Sequence, residues 1–173
     1  MSTAETKHKG ERTKRDDSKI VEQKYDLADV DDLVVHPKNP RRGDVSFIRE
    51  LIRANKFYGA IVCQRSSKRV LVGNHRLLAA REEGLKKIPV VWVDVTDEEA
   101  ERILLSDNRS SDRGTYDEEL LRTLLDGFEG DLFGTGYNQN DLDSLEKKLA
   151  SPEDFPSVEI ETSNKCPKCG FEW

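Results

Sequence analysis

Cysteine, methionine and aromatic residues are scarce in this chain: its 173 residues include three Cys, one Met and two Trp, and Phe, Trp and Tyr together reach 7%. Three cysteines cannot build the disulfide framework of a small secreted domain, so a reducing compartment is the consistent reading. Long apolar runs are missing as well. None approaches the ~18–20 residues that cross a bilayer. The basic residues among positions 1–19 are followed by no apolar stretch, which argues against a secretory signal. The expectation is a soluble, cytoplasmic protein without a membrane partner. Apolar side chains make up 35% of the chain against 36% charged, and mean hydropathy is -0.73. The core is therefore small, and the length suits one domain with appendages rather than a multidomain enzyme. With 28 Lys and Arg against 34 Asp and Glu, the net charge is -6. The molecule as a whole is not drawn to a phosphate backbone, so any nucleic-acid contact needs a local basic patch.

What is present begins with a charged tail. Residues 1–24 carry Lys7, Lys9, Arg12, Lys14, Arg15 and Lys19 among acidic neighbours, with almost no large apolar side chain. Such a segment buries too little to offset the entropy of ordering, and disorder is expected. Leu33-Val34-Val35 reads as a first strand, ended by Pro37 and Pro40. Asp44 caps a helix whose Val45, Ile48, Leu51 and Ile52 share a face. Ala60–Gln64 and Arg69–Val72 read as a hairpin, Gly73-Asn74 opens a helix that runs to Gly84, and Ile88–Val95 reads as a buried strand. The pattern is βαββαβ. Thr96 with Glu99 and Thr115 with Glu118 form capping boxes for two following helices, and Asn140 caps a last one. The fold class is α/β (α+β): a core over 25–112, a helical extension over 113–150, a linker over 151–164 and a terminal cysteine knuckle over 165–173.

Three constellations carry chemistry. Gly73-Asn74-His75-Arg76 stands where a strand becomes a helix. Unpaired N–H groups and the helix dipole favour an anion there, and a glycine allows close approach. Cations in a first turn oppose the dipole unless a phosphate is bound between them. The plainer alternative is an ordinary Asn74 cap with solvated His75 and Arg76. His36-Pro37-Lys38-Asn39-Pro40-Arg41-Arg42 is a proline-stiffened basic loop, able to present Lys38, Asn39, Arg41 and Arg42 to nucleic acid, or else simply a polar surface loop. Ser106-Asp107-Asn108-Arg109 ends a helix, with Asp107 and Asn108 as hard oxygen donors suited to Mg²⁺ or as ordinary helix-ending residues.

In this order the three strings resemble the ParB/sulfiredoxin superfamily, often labelled ParB-like nuclease domains, over roughly Leu33 to Asp112. His36–Arg41 is similar to the first ParB box, Gly73–Ala79 to its Gly-Glu-Arg-Arg string, and Asp107-Asn108-Arg109 stands at its Glu-Asn-x-x-Arg box. The resemblance implies a βαββαβ core that binds a nucleoside triphosphate with magnesium. It makes Gly73, Asn74, His75 and Arg76 phosphate ligands, with Arg41, Asn108 and Arg109 beside them, and Asp107 and Asn108 magnesium ligands. Asn74 replaces the nucleophilic cysteine of sulfiredoxin, which excludes sulfinic-acid reduction by that route. Leu78 replaces an arginine of ParB, and 113–150 contains no recognisable helix-turn-helix. Val72–His75, Asp107–Asp112, Gly134-Thr135-Gly136-Tyr137 and the terminal cysteine pair resemble phage ParB-like domain proteins, some relatives of which are fused to DNA methyltransferases. No methylase Asp-Pro-Pro-Tyr motif is present here.

Cys166-Pro167-Lys168-Cys169-Gly170 is half of a zinc site. Closure needs two further ligands, either the same pair from a second chain, giving a homodimer, or Cys63 with His8 or His36. A redox pair and an unligated tail are the alternatives. The expected function is a phage-type ParB-like protein, in a bacterial or phage-infected cell, that binds a nucleotide or DNA phosphate at the Gly73–Arg76 turn in a DNA-related process. Two other classes stand beside it. One is a metal-dependent nuclease or NTP-hydrolysing enzyme with His75 and Asp107 as catalytic groups. The other is an accessory module for a DNA methyltransferase.

Overall fold

A computed structural model describes residues 20–150 and 166–171. The charged tail to Lys19, His8 within it, and the linker over 151–164 lie outside the described residues. The chain divides into two compact units between Gly114 and Thr115.

The first unit is a five-stranded mixed sheet with helices on both faces. Its elements are β1 (Gln23–Asp29), a one-turn 3-10 helix (Val30–Asp32), β2 (Val34–Val35), α1 (Val45–Asn55), β3 (Ile61–Gln64), β4 (Arg69–Val72), α2 (Asn74–Glu82), β5 (Lys87–Val93) and α3 (Asp97–Asp112). The sheet order is β1-β5-β3-β4-β2. β1 runs antiparallel to β5 and β3 antiparallel to β4, while β3 and β5, and β2 and β4, are parallel. β-Branched runs form the inner strands because both of their faces are covered.

On one face Ile61, Cys63, Val70, Ile88 and Val90 pack with Val30, Leu33 and the inward side of α2, Leu77 and Ala80. On the other, Leu71 and Val93 pack against Ala100, with Ile103 partly buried beside them. Each fully buried Val or Leu contributes about 1.5–3 kcal/mol by leaving water. Helix α1 has no fully buried residue. It is tied to α2 by Arg49, which meets Glu82 at 2.9 Å and Glu83 at 2.7 Å, and by Arg53 to Glu83 at 2.8 Å. Those two arginines hold the Glu83 carboxyl below the usual carboxylate range, Arg53 foremost. Arg81 of α2 donates to the carbonyls of Val30 at 2.9 Å and Leu33 at 2.6 Å. That anchor fixes the segment leading into β2 and the basic loop.

Five sequence expectations are corrected. Strand β1 starts inside the segment expected to be a disordered tail, so the core is ββαββαβ. Its Tyr25 and Leu27 are exposed, and a ladder with β5 from Gln23↔Val93 to Asp29↔Lys87 holds it instead of burial. The first expected strand shortens to Val34–Val35, because Leu33 ends the 3-10 turn and is buried. Helix α2 is capped by Gly73 and not by Asn74. In the second unit α4 (Glu118–Asp126) is capped by Asp117, whose carboxylate accepts from Leu120 N–H, rather than by a Thr115–Glu118 box. Likewise α5 (Gln139–Leu149) is capped by Asn138, boxed with Asp141, because its amide oxygen reaches two helix N–H groups where Asn140 is already inside the helix. The Thr96–Glu99 box at α3 and the Asp44 cap at α1 are both formed.

The second unit pairs α4 with α5. Leu125 and Leu145 are buried, and Arg122–Glu146 (2.8 Å) and Lys148–Glu118 (3.0 Å) bridge the two helices. Among the described residues no helix is long and apolar enough to cross a membrane.

Candidate phosphate-binding cleft

A cleft of about 310 Å³ opens at the end of β4, lined by Asn39, Arg41, Ile48, Leu71, Val72, Gly73, Asn74, His75, Arg76, Asp107, Asn108 and Ser111. Three distant stretches meet in it: the basic loop, the β4–α2 turn and the last turns of α3. The turn is built on Gly73, whose φ of 94° lies in the left-handed region. A Cβ there would stand 2.6 Å from Ile61 Cγ2 and 3.1 Å from Arg76 Nη2, so glycine is demanded twice. Gly73 offers no side-chain cap, and the first turn of α2 contains no acidic residue. The first intrahelical bond runs from Leu77 N–H to Gly73 O at 3.0 Å. The N–H groups of Asn74, His75 and Arg76 therefore precede the ladder at the positive end of the helix.

The four turn residues divide their tasks differently from the sequence expectation. Asn74 is 4% exposed. Its Oδ1 accepts from His36 N–H at 2.8 Å and its Nδ2 donates to Val70 O at 3.0 Å, so its side chain is committed to structure. His75 Nε2 accepts from Gly43 N–H at 2.9 Å. A neutral imidazole bonded in that way carries its proton on Nδ1. A Cβ on Gly43 would stand 2.8 Å from the ring, so this glycine is required by close approach. Two successive residues of the turn thus pin both ends of the 36–43 loop. Arg76 donates to Ala60 O at 3.2 Å. Burial pushes its pKa down, opposed by Tyr58 and Asp107, and an arginine remains charged regardless.

The loop is also tied to α3. Asn39 Oδ1 accepts from Asn108 Nδ2 at 3.2 Å. Arg41 donates to Asn108 O at 3.2 Å and pairs with Asp112 at 3.2 Å. Lys38 pairs with Glu101 outside the cleft. Arg42 and Arg109 are exposed and do not line the cleft. Of the expected ligands the structure brings together Gly73, Asn74, His75, Arg76, Arg41, Asn39, Asp107 and Asn108, and leaves out Lys38, Arg42 and Arg109. It adds Ile48, Leu71, Val72 and Ser111 to the lining, and Gly43 as the partner of His75. Ser111 lies one helical turn beyond Asp107, on the same face of α3, a spacing visible in the sequence.

A second hollow of about 270 Å³ adjoins, lined by Ile48, Leu51, Ile52, Lys56, Phe57, Tyr58 and Arg76. It is apolar where the first cleft is polar, and the two share Ile48 and Arg76. Lys56 ends α1 at φ 63°, a conformation that costs a lysine about 1–3 kcal/mol and is held by its surroundings.

Among the described residues that line the cleft, Asp107 is the one carboxylate. Among the described residues no three His, Cys, Asp or Glu side chains gather as a metal site. Mg²⁺ is commonly held by one or two carboxylates together with substrate phosphates, so Asp107 and the side-chain amide oxygen of Asn108 fit that ion only in company with a phosphate chain. Cys166 and Cys169, expected as zinc ligands, are both free thiols. Cys63 and His36, the other expected partners, are buried in the first unit.

No family model matches this sequence, and no curated protein matches it. Solved structures do. The C-terminally truncated chromosome-partitioning protein ParB from Caulobacter crescentus, complexed with CTP-gamma-S, is similar over 75% of this chain and 81% of its own, with a TM-score of 0.61 and 20% identity. A Pnob8-like ParB-N domain matches 74% of this chain and 63% of its own, with a TM-score of 0.47 and 12% identity. The Caulobacter crescentus protein complexed to the centromeric parS site matches 74% and 73%, with a TM-score of 0.42 and 20% identity. The α/β unit built around the Gly73 turn has a ParB-like fold.

Proposed function

We propose that this protein is a nucleotide-binding module of a DNA-related process, and that the Gly73–Arg76 turn holds the phosphates of a nucleoside triphosphate. One observation carries the reading. The uncapped start of α2, with His75 and Arg76 in its first turn, opens into a cleft that Arg41 enters from a separate segment. An anion there accepts from backbone N–H groups, gains from the helix dipole and separates the arginines. The adjoining apolar hollow favours a whole nucleotide over free phosphate, because it offers a base or ribose a dry surface reached past Arg76. The solved protein of similar fold is a chromosome-partitioning protein complexed with a CTP analogue.

A small phosphate ligand is favoured over the DNA backbone. Of the basic residues in the loop, Lys38 and Arg41 already face carboxylates, and the net charge is -6. Any DNA affinity rests on so few cations that it collapses steeply with salt. With Asp107 as the single carboxylate in the cleft, binding is also favoured over nuclease chemistry, which works best with metals clamped between several carboxylates. Mg²⁺ enters with the triphosphate, on Asp107 and Asn108. On this reading the protein acts in the cytoplasm of a bacterium or a phage-infected bacterium.

Calorimetric titration of the full chain with CTP, ATP, GTP and UTP, with and without Mg²⁺, tests the proposal. Binding of at least one triphosphate, tighter than its monophosphate, is expected. Heat from DNA alone would move the reading to a phosphate-backbone site, and turnover to inorganic phosphate would move it to an enzyme.

A further inference from the structure

The cysteine pair belongs to the second unit and has a geometry of its own. Gly170 adopts φ 78°, and a Cβ there would meet nothing within 4 Å, so the backbone conformation alone calls for glycine. Its N–H donates to Cys166 O at 2.9 Å, and Cys166 N–H donates to Phe171 O at 2.7 Å. The chain thereby folds back on itself around Cys166. The backbone of Lys168 and that of Cys169 hydrogen-bond the Cys166 sulfur, and the Cys169 thiol bonds it as well. The two sulfurs are hydrogen-bond neighbours, and N–H donors of the kind a metal-bound thiolate accepts from are already in place.

A reactive dithiol pair commonly sits at the start of a helix, whose dipole activates the first sulfur. Here Cys169 is followed by the Gly170 turn. A closed zinc site needs four ligands, typically sulfur and imidazole nitrogen. This chain has three cysteines and three histidines. Cys63 is wholly buried in β3, and burial pushes its thiol up to about 12. His36 is buried, and its Nδ1 accepts from Lys38 N–H at 3.3 Å. His75 Nε2 accepts from Gly43. That leaves His8, which lies outside the described residues, and one imidazole does not complete a site that lacks two ligands.

We propose that Cys166 and Cys169 form half of a structural zinc site, closed by the same pair from a second copy of this chain into a tetrahedral four-thiolate centre. A solvent-facing half-site holds zinc weakly, whereas four thiolates bind it firmly and release their protons to solvent as they do so. The metal then couples two copies of the chain, each bearing one phosphate cleft, and the coupling depends on zinc supply.

Native mass spectrometry of the full chain, with added zinc and after chelation, tests this. One zinc per dimer is expected, with reversion to monomer on chelation. Cys166→Ser should abolish both zinc and dimer, while Cys166→His, which retains a zinc ligand, should keep them. Circular dichroism of each variant checks that the helices and sheet are unchanged. Zinc on a monomer would overturn the shared site and send the search to His8 or a carboxylate. A dimer that survives chelation, or a chain that takes up no zinc, would overturn it as well.

Discussion

Helices α2 and α3 begin in opposite ways. Thr96 closes the start of α3 with a complete capping box, and Asp97, Glu98 and Glu99 fill its first turn, so its N–H groups and its dipole are answered from within. Gly73 offers α2 no side chain, and the residues that follow are neutral or cationic: Asn74, His75 and Arg76. On the proposed reading, the acceptor that α2 lacks is a phosphate that enters through the cleft. Each of the other described α-helices has a side-chain cap, from Asp44, Thr96, Asp117 or Asn138, and α2 is a candidate site by that contrast. The contrast can be broken or sharpened by experiment.

The largest effect is expected from Gly73→Ala. Left-handed backbone strain and the clash with Ile61 together should cost about 2–5 kcal/mol of stability, measured by urea unfolding. Next comes Arg76→Ala, which removes a charge-assisted contact to the ligand. Triphosphate affinity should fall by about 1.5–3 kcal/mol, roughly tenfold to a hundredfold or more, in calorimetric titration. The matching change at the other helix, Thr96→Ala, should cost about 1 kcal/mol of stability and leave triphosphate affinity unchanged. A loss of affinity there would erase the distinction between the two helix starts.

The smallest effect concerns pH. Burial foremost, then the charge of Arg69, lowers the pKa of His36. The unfolded chain therefore binds a proton near the ordinary histidine value of about 6.5 while the fold still resists it. The stability that neutral His36 contributes is present above that pH and is lost as pH falls from it through the lowered folded value. In urea unfolding, the difference between wild type and His36→Gln should narrow over that window.

How much of this was legible beforehand varied with the reach of the interaction. β3, β4 and β5 were readable because strands covered on both sides leave β-branched runs in the sequence. β1 was not, since an exposed edge strand held by backbone hydrogen bonds needs no apolar pattern. The Gly73 turn was visible as a glycine between a strand and a helix with cations behind it. Its inner workings were hidden, because they depend on partners far apart in sequence: Asn74 bonds a residue 38 positions away, His75 one 32 positions away, and Lys38 is neutralised by a glutamate 63 positions on. Local spacing could identify Asn74 as polar and well placed, but not that its amide joins loop to strand in place of a ligand. The caps of α4 and α5 missed by two residues because several Asp, Asn and Thr compete at each start, and the winner is set by backbone geometry.

The central claim is that the uncapped start of α2 binds a nucleotide's phosphates, and thermal unfolding of wild type and Arg76→Ala with saturating triphosphate and Mg²⁺ tests it most directly. At a hundred times its Kd, a ligand selective for the fold adds about 2.7 kcal/mol, enough to raise Tm by several degrees in a domain of this size. The predicted result is such a rise in the wild type, largely lost in Arg76→Ala at the same ligand concentration. No rise with any triphosphate, or an equal rise in both proteins, would contradict the account.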